Sequence, residues 1–205
     1  VTYELADAEG QVLATAEGLG TVQLAANGIT PWTPETPALY TLRVTVTANG
    51  TADTAEQRIG IRTIQVSSKT GLLLNGQPRT MKGGCIHHDL GILGAADHAA
   101  AERRRIRLMK ESGFDAIRAA HNPFGPAFLD ACDELGMLVV EEAFDEWVMG
   151  RTSFGLHVTF EQCWEKDLED MITRDYNHPC IVMWSTGNEV EERDGTADGF
   201  AWAKR

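Results

Sequence analysis

The sequence predicts a chain of two units. An incomplete β-sandwich occupies residues 1–65, and the first four βα units of a (β/α)8 barrel occupy residues 66–205. Three observations carry this reading. Apolar residues alternate with period two in the first third of the chain and then give way to a helical period. From about residue 81 onward, strand-like and helix-like segments follow one another in turn. Polar residues also crowd behind the C-terminal end of each later strand: His87-His88-Asp89, His121-Asn122-Pro123, Glu141-Glu142 with Asp145-Glu146-Trp147, and Gly187-Asn188-Glu189. Several strand ends feeding one site is the barrel pattern. A doubly wound sheet would share the alternation, but the first strand is followed by no G-x-G-x-x-G phosphate loop.

In the first unit, LYTLRVTVTANG places Leu42, Val44 and Val46 on one face and Arg43, Thr45 and Thr47 on the other, before an Asn-Gly turn. AEG at 8–10 and AANG at 25–28 supply further turns, and TPWTPETP is too rich in proline for a central strand. After a hairpin-like stretch, TGLLLNGQPRTMKGG, the second unit begins with the strand MKGGCIH. A helix follows, with Asp97 as N-cap, Ile106 and Met109 facing inward, and Gly113 at its end. FDAIRAAH is the second strand. PAFLDACDELG is the second helix, with Phe128, Leu129, Cys132 and Leu135 on one face and Gly136 closing it. MLVVEEAF is the third strand. The third helix opens on a Thr159/Gln162 capping box and buries Phe160, Trp164, Leu168 and Met171 before Pro179 stops it. CIVMWS is the fourth strand.

Bulk properties narrow the partners. Of 205 residues, 43% are hydrophobic and 23% charged, as in ordinary globular chains, while the net charge is −12. That charge argues against nucleic acid, which is held through Lys and Arg on phosphates, and against an anionic membrane surface. Cys85, Cys132, Cys163 and Cys180 form no C-x-x-C pair and read as free thiols in apolar segments. No apolar run reaches membrane-spanning length; no signal peptide is read either, which says little because Val1 opens in mid-strand, at VTYEL. The parent protein is expected to be soluble, with its compartment, cytoplasmic or periplasmic or secreted, left open.

Glu189 is the residue with most chemistry in prospect. A carboxylate behind a core strand is either ion-paired and structural, or a partly desolvated proton donor at the rim of a concave site. Asn188 beside it would orient a ligand hydroxyl, whereas Glu191 and Glu192 read as solvated. Arg118, at the end of the second strand, needs a carboxylate, and Glu142 on the neighbouring strand is the nearest partner. His121 either donates to a hydroxyl or caps the second helix. His87 and His88 point to opposite faces of a strand, so one inward histidine is expected rather than a shared metal. Asp145 and Glu146 add oxygen atoms, and Trp147 and Trp184 are either core or an apolar platform for a sugar ring.

Taken together these pieces resemble glycoside hydrolase family 2, its β-galactosidase branch most closely. The resemblance rests on W-T-P-E-T-P-A-L-Y at 32–40, K-G-G-C-I-H-H-D-L-G at 82–91 and A-I-R-A-A-H-N-P at 116–123. It continues in C-D-E-L-G-M-L-V-V-E-E-A-F-D-E-W at 132–147 and R-D-Y-N-H-P-C-I-V-M-W-S-T-G-N-E-V at 174–190. It implies that residues 1–65 are part of an immunoglobulin-like sandwich and that the barrel hydrolyses terminal β-galactosides with retention of configuration. It further implies that Glu189 is the acid/base, that Asn188 contacts the sugar's 2-hydroxyl, and that His87, His121, Asp145 and Trp184 line the sugar subsite. Arg118 would face the nucleophile. In the family that nucleophile is a glutamate after the seventh barrel strand, so these four strands alone are expected to be inactive.

Glucuronide or mannoside specificity within the family, or a non-catalytic half-barrel that binds a partner, are the competing readings. No cofactor is expected. Some relatives hold magnesium with a Glu and a His after the third strand; here Glu146 matches the acid, but Val148 stands in place of the histidine. Open edges at the first and fourth barrel strands are expected to promote self-association.

Overall fold

The computed structural model describes residues 1–190, which fall into two compact units: Val1–Thr80 with Asn177–Pro179, and Met81–Tyr176 with Cys180 onward. Glu191 and Glu192 lie outside the described residues. A β unit is followed by a parallel α/β half-barrel, as the sequence predicts.

In the first unit, β1 (Thr2–Ala6), β2 (Val12–Glu17), β3 (Tyr40–Ala48) and β4 (Thr51–Ile59) form one antiparallel sheet in the order β2-β1-β3-β4. Asn49 and Gly50 join β3 to β4 with φ of 51° and 78°, the pair of left-handed residues that a two-residue hairpin requires. The sheet is buried where β1 finishes and β3 begins: Leu5 and Tyr40 are buried, while Val46, farther along β3, remains 47% exposed. The proline-rich loop is not a strand. It buries Trp32 completely, and the backbone N–H of Trp32 donates to Ile61 O at 2.9 Å, just beyond β4. A small meander, β5 (Ile64–Ser67), β6 (Gly71–Leu74) and β7 (Gln77–Pro78), belongs to the same unit, so the compact division falls at Thr80/Met81.

The second unit alternates β8 (Gly83–Ile86), α1 (Ala99–Glu111), β9 (Ala116–Ala119), α2 (Pro126–Leu135), β10 (Leu138–Glu142), α3 (Phe160–Asp175) and β11 (Ile181–Ser185). The four strands are parallel and lie in chain order, β11-β10-β9-β8. A doubly wound sheet would reverse that order partway; a barrel does not.

Helix ends differ from expectation at two places. Asp97 does not cap α1: His98 occupies the N-cap without a side-chain bond, and the Asp97 carboxylate accepts Ala127 N–H at 3.3 Å in the first turn of α2. Asp97 packs over Gly125, where a Cβ would overlap its carboxylate, so it serves the neighbouring helix instead. The Thr159/Gln162 capping box also does not form. The 3-10 turn Leu156–Val158 runs straight into α3, so Gln162 N–H bonds to the Thr159 carbonyl while Thr159 Oγ1 donates back to Leu156 O. Gly136 ends α2 in the left-handed conformation, as expected.

The register sorts the strand residues into two faces. Cys85, Arg118, Val140 and Met183 align across the sheet on the inner face. Ile86, Ala119, Glu141 and Trp184 align on the face that meets the helices. Ile106, Phe128, Leu129, Cys132, Val139 and Phe160 fill the space between helices and sheet. Among the described residues no helix is long and apolar enough to cross a membrane.

Glu141 is buried in this helix-side layer. One oxygen accepts Phe124 N–H at 2.8 Å and the other has no hydrogen-bond partner. Burial pushes its carboxyl up to about 8, and the nearby Asp175 charge adds to the effect against the Phe124 hydrogen bond. Its folded value therefore lies above its ordinary 4.5. Folding takes up a proton between those two values, and stability falls as pH rises through the window, by at most about 1.4 kcal/mol per pH unit. Glu141→Gln retains an acceptor for Phe124 and cannot ionise. Urea unfolding at pH 5 and pH 8 should show the variant gaining on wild type at the higher pH; a gap independent of pH would contradict the neutral state of Glu141.

Candidate functional site

β10 ends in two adjacent acids that strand geometry sends to opposite faces. Glu141 meets the helices. Glu142 turns inward, its side chain 1% exposed, and is almost surrounded by donors. Oε1 accepts from Arg118 Nη2 at 2.8 Å and His121 Nδ1 at 2.7 Å; Oε2 accepts from Arg118 Nε at 2.9 Å, Arg118 Nη2 at 2.7 Å and Ser185 Oγ at 2.7 Å. A fork-shaped guanidinium suits this duty, because it offers parallel donors to both oxygens. Arg118 Nη2 also donates to Asn188 Oδ1 at 2.9 Å, so the buried carboxylate orients the residue that precedes Glu189.

A second cluster is built from the loop after β10. Glu146 is buried and accepts Arg151 N–H at 2.7 Å, His157 N–H at 3.2 Å and His157 Nδ1 at 3.0 Å. Burial opposes ionisation of this carboxyl, but the hydrogen bonds from the His157 ring and from the two backbone N–H groups outweigh it and hold it at about 2. Two glycines bring the loop backbone against these side chains: a Cβ at Gly150 would overlap the His157 ring, and one at Gly155 would overlap Glu146 Oε1. The loop is spliced to the end of β11 by Asn188 N–H to Phe144 O at 3.0 Å and Trp147 Nε1–H to Thr186 O at 2.9 Å. So anchored, it presents Arg151 to two carboxylates: Asp145 at 3.2 Å and Glu189 at 2.7 Å. Asp145 is also 3.5 Å from Asn188 Nδ2.

Most residues singled out in the sequence come together here. His87 lies edge-on to His121 with ring centroids 5.1 Å apart, while His88 turns the other way and stacks on Phe124 at 4.0 Å. Arg118, His121, Asn188, Asp145 and Glu189 are joined through Glu142 and Arg151 into one polar network. Trp184 is set apart. It lies in the helix-facing row and packs against the cluster of Phe144, Trp147, Phe160 and Met171, so the core reading of both tryptophans describes their positions. Glu189 also differs from the partly desolvated group expected: its side chain is 57% exposed, its φ is 53°, and its carboxylate pairs with Arg151 on the rim. Arg118 and His121 take Glu142 as their carboxylate partner.

Arg151, His157 and Ser185 were not read from the sequence as site residues. Arg151 and His157 sit in an irregular loop without periodicity, and Ser185 looks like an ordinary strand terminus. A separate cavity of about 310 Å³ opens beside Asn122, Phe144, Asp170 and Arg174, and none of these four belongs to either carboxylate cluster.

Comparison with known proteins bears on what the network does. Residues 64–205 match the sequence model of glycosyl hydrolases family 2, TIM barrel domain, and residues 1–62 match that of glycosyl hydrolases family 2. Beta-galactosidase BoGH2A of Bacteroides ovatus is 40% identical over 211 residues, covering 97% of this chain and 25% of that protein. A putative beta-glucuronidase of Formosa agariphila is 36% identical over 193 residues, covering 91% of this chain and 19% of that protein. The chain thus spans a quarter or less of these two curated relatives. Among solved structures, a family 2 member from Bacteroides cellulosilyticus superposes with a TM-score of 0.88 at 37% identity, over 99% of this chain and 28% of the other.

The Glu142 cluster yields a stability test. Arg118→Met leaves a buried carboxylate without its main counter-charge and should cost about 3 kcal/mol or more. Urea midpoints at pH 7 measure this; a loss under about 0.5 kcal/mol, the size expected of a surface pair, would show that Glu142 is not held as described.

Proposed function

Because the chain belongs to glycoside hydrolase family 2, we propose that it is a segment of a retaining hydrolase that releases terminal β-linked galactose, with Glu189 as its acid/base. The observation that carries this is the placement of Glu189 one residue beyond Asn188, which is itself fixed by Arg118, Glu142 and Asp145.

The chemistry follows from these residues. His121 gives its Nδ1–H to Glu142, which leaves Nε2 to accept a sugar hydroxyl beside His87. Asn188 presents its amide to the hydroxyl next to the anomeric carbon. As the bond from that carbon to the aglycone breaks, Glu189 gives its proton to the departing oxygen, and a second carboxylate bonds to the carbon. In the second half Glu189 takes a proton from water, whose oxygen bonds to the anomeric carbon while the enzyme ester breaks. The two carboxyl groups in such enzymes stand about 5–5.5 Å apart. Glu142 is not that second group in this proposal, since Arg118, His121 and Ser185 occupy both its oxygens. The segment alone is accordingly proposed to be inactive.

Magnesium does not fit the donor set. Both oxygens of Glu146 accept N–H bonds, a guanidinium bridges Asp145 and Glu189, and the side chain of Val148 offers no ligand atom. No metal enters the proposed reaction.

A glucuronide-specific enzyme is the second reading, and the relative bearing that name favours it. A glucuronide adds a carboxylate that calls for a cation. Arg118 and Arg151 are both already committed to carboxylates, which favours a neutral sugar here. Mannosides and a non-catalytic half-barrel remain arms of the test.

The decisive measurement uses the full-length protein containing this segment. Glu189→Gln should lower hydrolysis of a phenyl β-galactoside by about 10²–10⁴-fold. Azide should restore turnover on an activated substrate by giving the β-galactosyl azide. Unchanged turnover would remove Glu189 from the mechanism, and faster cleavage of the matching glucuronide or mannoside would reassign the sugar. We further propose that the isolated segment self-associates through the outer edges of β8 and β11; a stable monomer by light scattering at high concentration would refute this.

A further inference from the structure

Resting on the reading of Glu189 as acid/base, we infer that Arg151 is a positioning residue that sets the direction from which Glu189 delivers its proton. The guanidinium spans two carboxylates from different elements, Glu189 after β11 at 2.7 Å and Asp145 after β10 at 3.2 Å. An exposed ion pair of this kind contributes little to stability. What it supplies is geometry. A glutamate side chain at the surface samples several rotamers, and an acid is effective only within hydrogen-bond reach of the oxygen it protonates.

The support behind Arg151 is more elaborate than a surface pair needs. Its own backbone N–H is held by the buried Glu146, whose other oxygen takes two donors from His157. Gly150 precedes it in a position where the His157 ring leaves no space for a side chain. Asp145, the second carboxylate, also faces Asn188. The guanidinium thus ties the carboxylate of Glu189 to the same frame that orients the sugar-contacting amide. Among the described residues, the other charged groups nearby, Arg118, His121 and Glu142, are engaged with one another behind Asn188.

A positioning role predicts dependence on the leaving group. An alkyl or phenyl galactoside needs its departing oxygen protonated, whereas a dinitrophenyl galactoside departs without help. In the full-length enzyme, Arg151→Gln should lower kcat/KM about tenfold for poor leaving groups, the scale of a modest misplacement. The loss in kcat/KM should be under about twofold for dinitrophenyl, because kcat/KM reports the first half of the reaction, where that leaving group needs no proton. KM should change little. Arg151→Lys should recover most of the loss, since the charge is kept and one contact can re-form. Asp145→Asn removes the second anchor and should give a weaker form of the same pattern, so the test survives if Arg151→Gln does not fold. A uniform loss across the series, or none, in these variants overturns the inference. Glu189→Gln is the control: a steep leaving-group dependence there supports the acid/base reading, and a flat one overturns that reading whatever Arg151 does.

Discussion

The arrangement at the end of the parallel sheet depends on one buried carboxylate group, that of Glu142. Glu142 is out of contact with water, and a carboxylate in that position is tolerable only if its lone pairs are met by donors that are themselves fixed. Those donors come from three neighbouring places: Arg118 on β9, His121 just beyond it and Ser185 on β11. Strand alignment is thereby recorded in side chains as well as in backbone bonds. A slip of one residue in β10 would point Glu142 at the helices and Glu141 at Arg118, and neither environment suits the exchanged acid.

The pair Glu141-Glu142 shows how the period of a strand divides labour between adjacent, chemically identical residues. On the helix side, burial with one backbone donor favours the neutral acid. On the inner side, a guanidinium, an imidazole and a hydroxyl meet both oxygens of the second acid. Glu146, four residues on, is buried too, yet donors from Arg151 and His157 keep it ionised. Three glutamates in six positions are thus sorted by the partners they meet and not by burial alone.

Much of this was legible in the sequence because it follows from periodicity and spacing. The four barrel strands, the three helices, the Asn49-Gly50 turn and the Arg118–Glu142 pair all rest on local pattern or on one-strand-over neighbours. The opposed directions of His87 and His88 were legible for the same reason. What escaped depends on tertiary detail. Asp97 serves α2 from a loop thirty residues upstream in sequence, and no local rule reveals that. The Thr159/Gln162 motif satisfied a pattern whose geometry was pre-empted by the turn before it. Arg151 and His157 lie in a loop whose conformation follows from Glu146 and two glycines, and the exposed rim position of Glu189 follows from that loop in turn.

The close fit around Gly150 and Gly155 has a bearing on how this surface is able to diversify. Neither position accepts even a methyl group without displacing His157 or Glu146, so the path of the stretch between them is tied to those two side chains. Variation among descendants of this sequence should therefore appear as exchanged side chains on an inherited loop, and new ligand preferences should arise by insertion elsewhere along the rim.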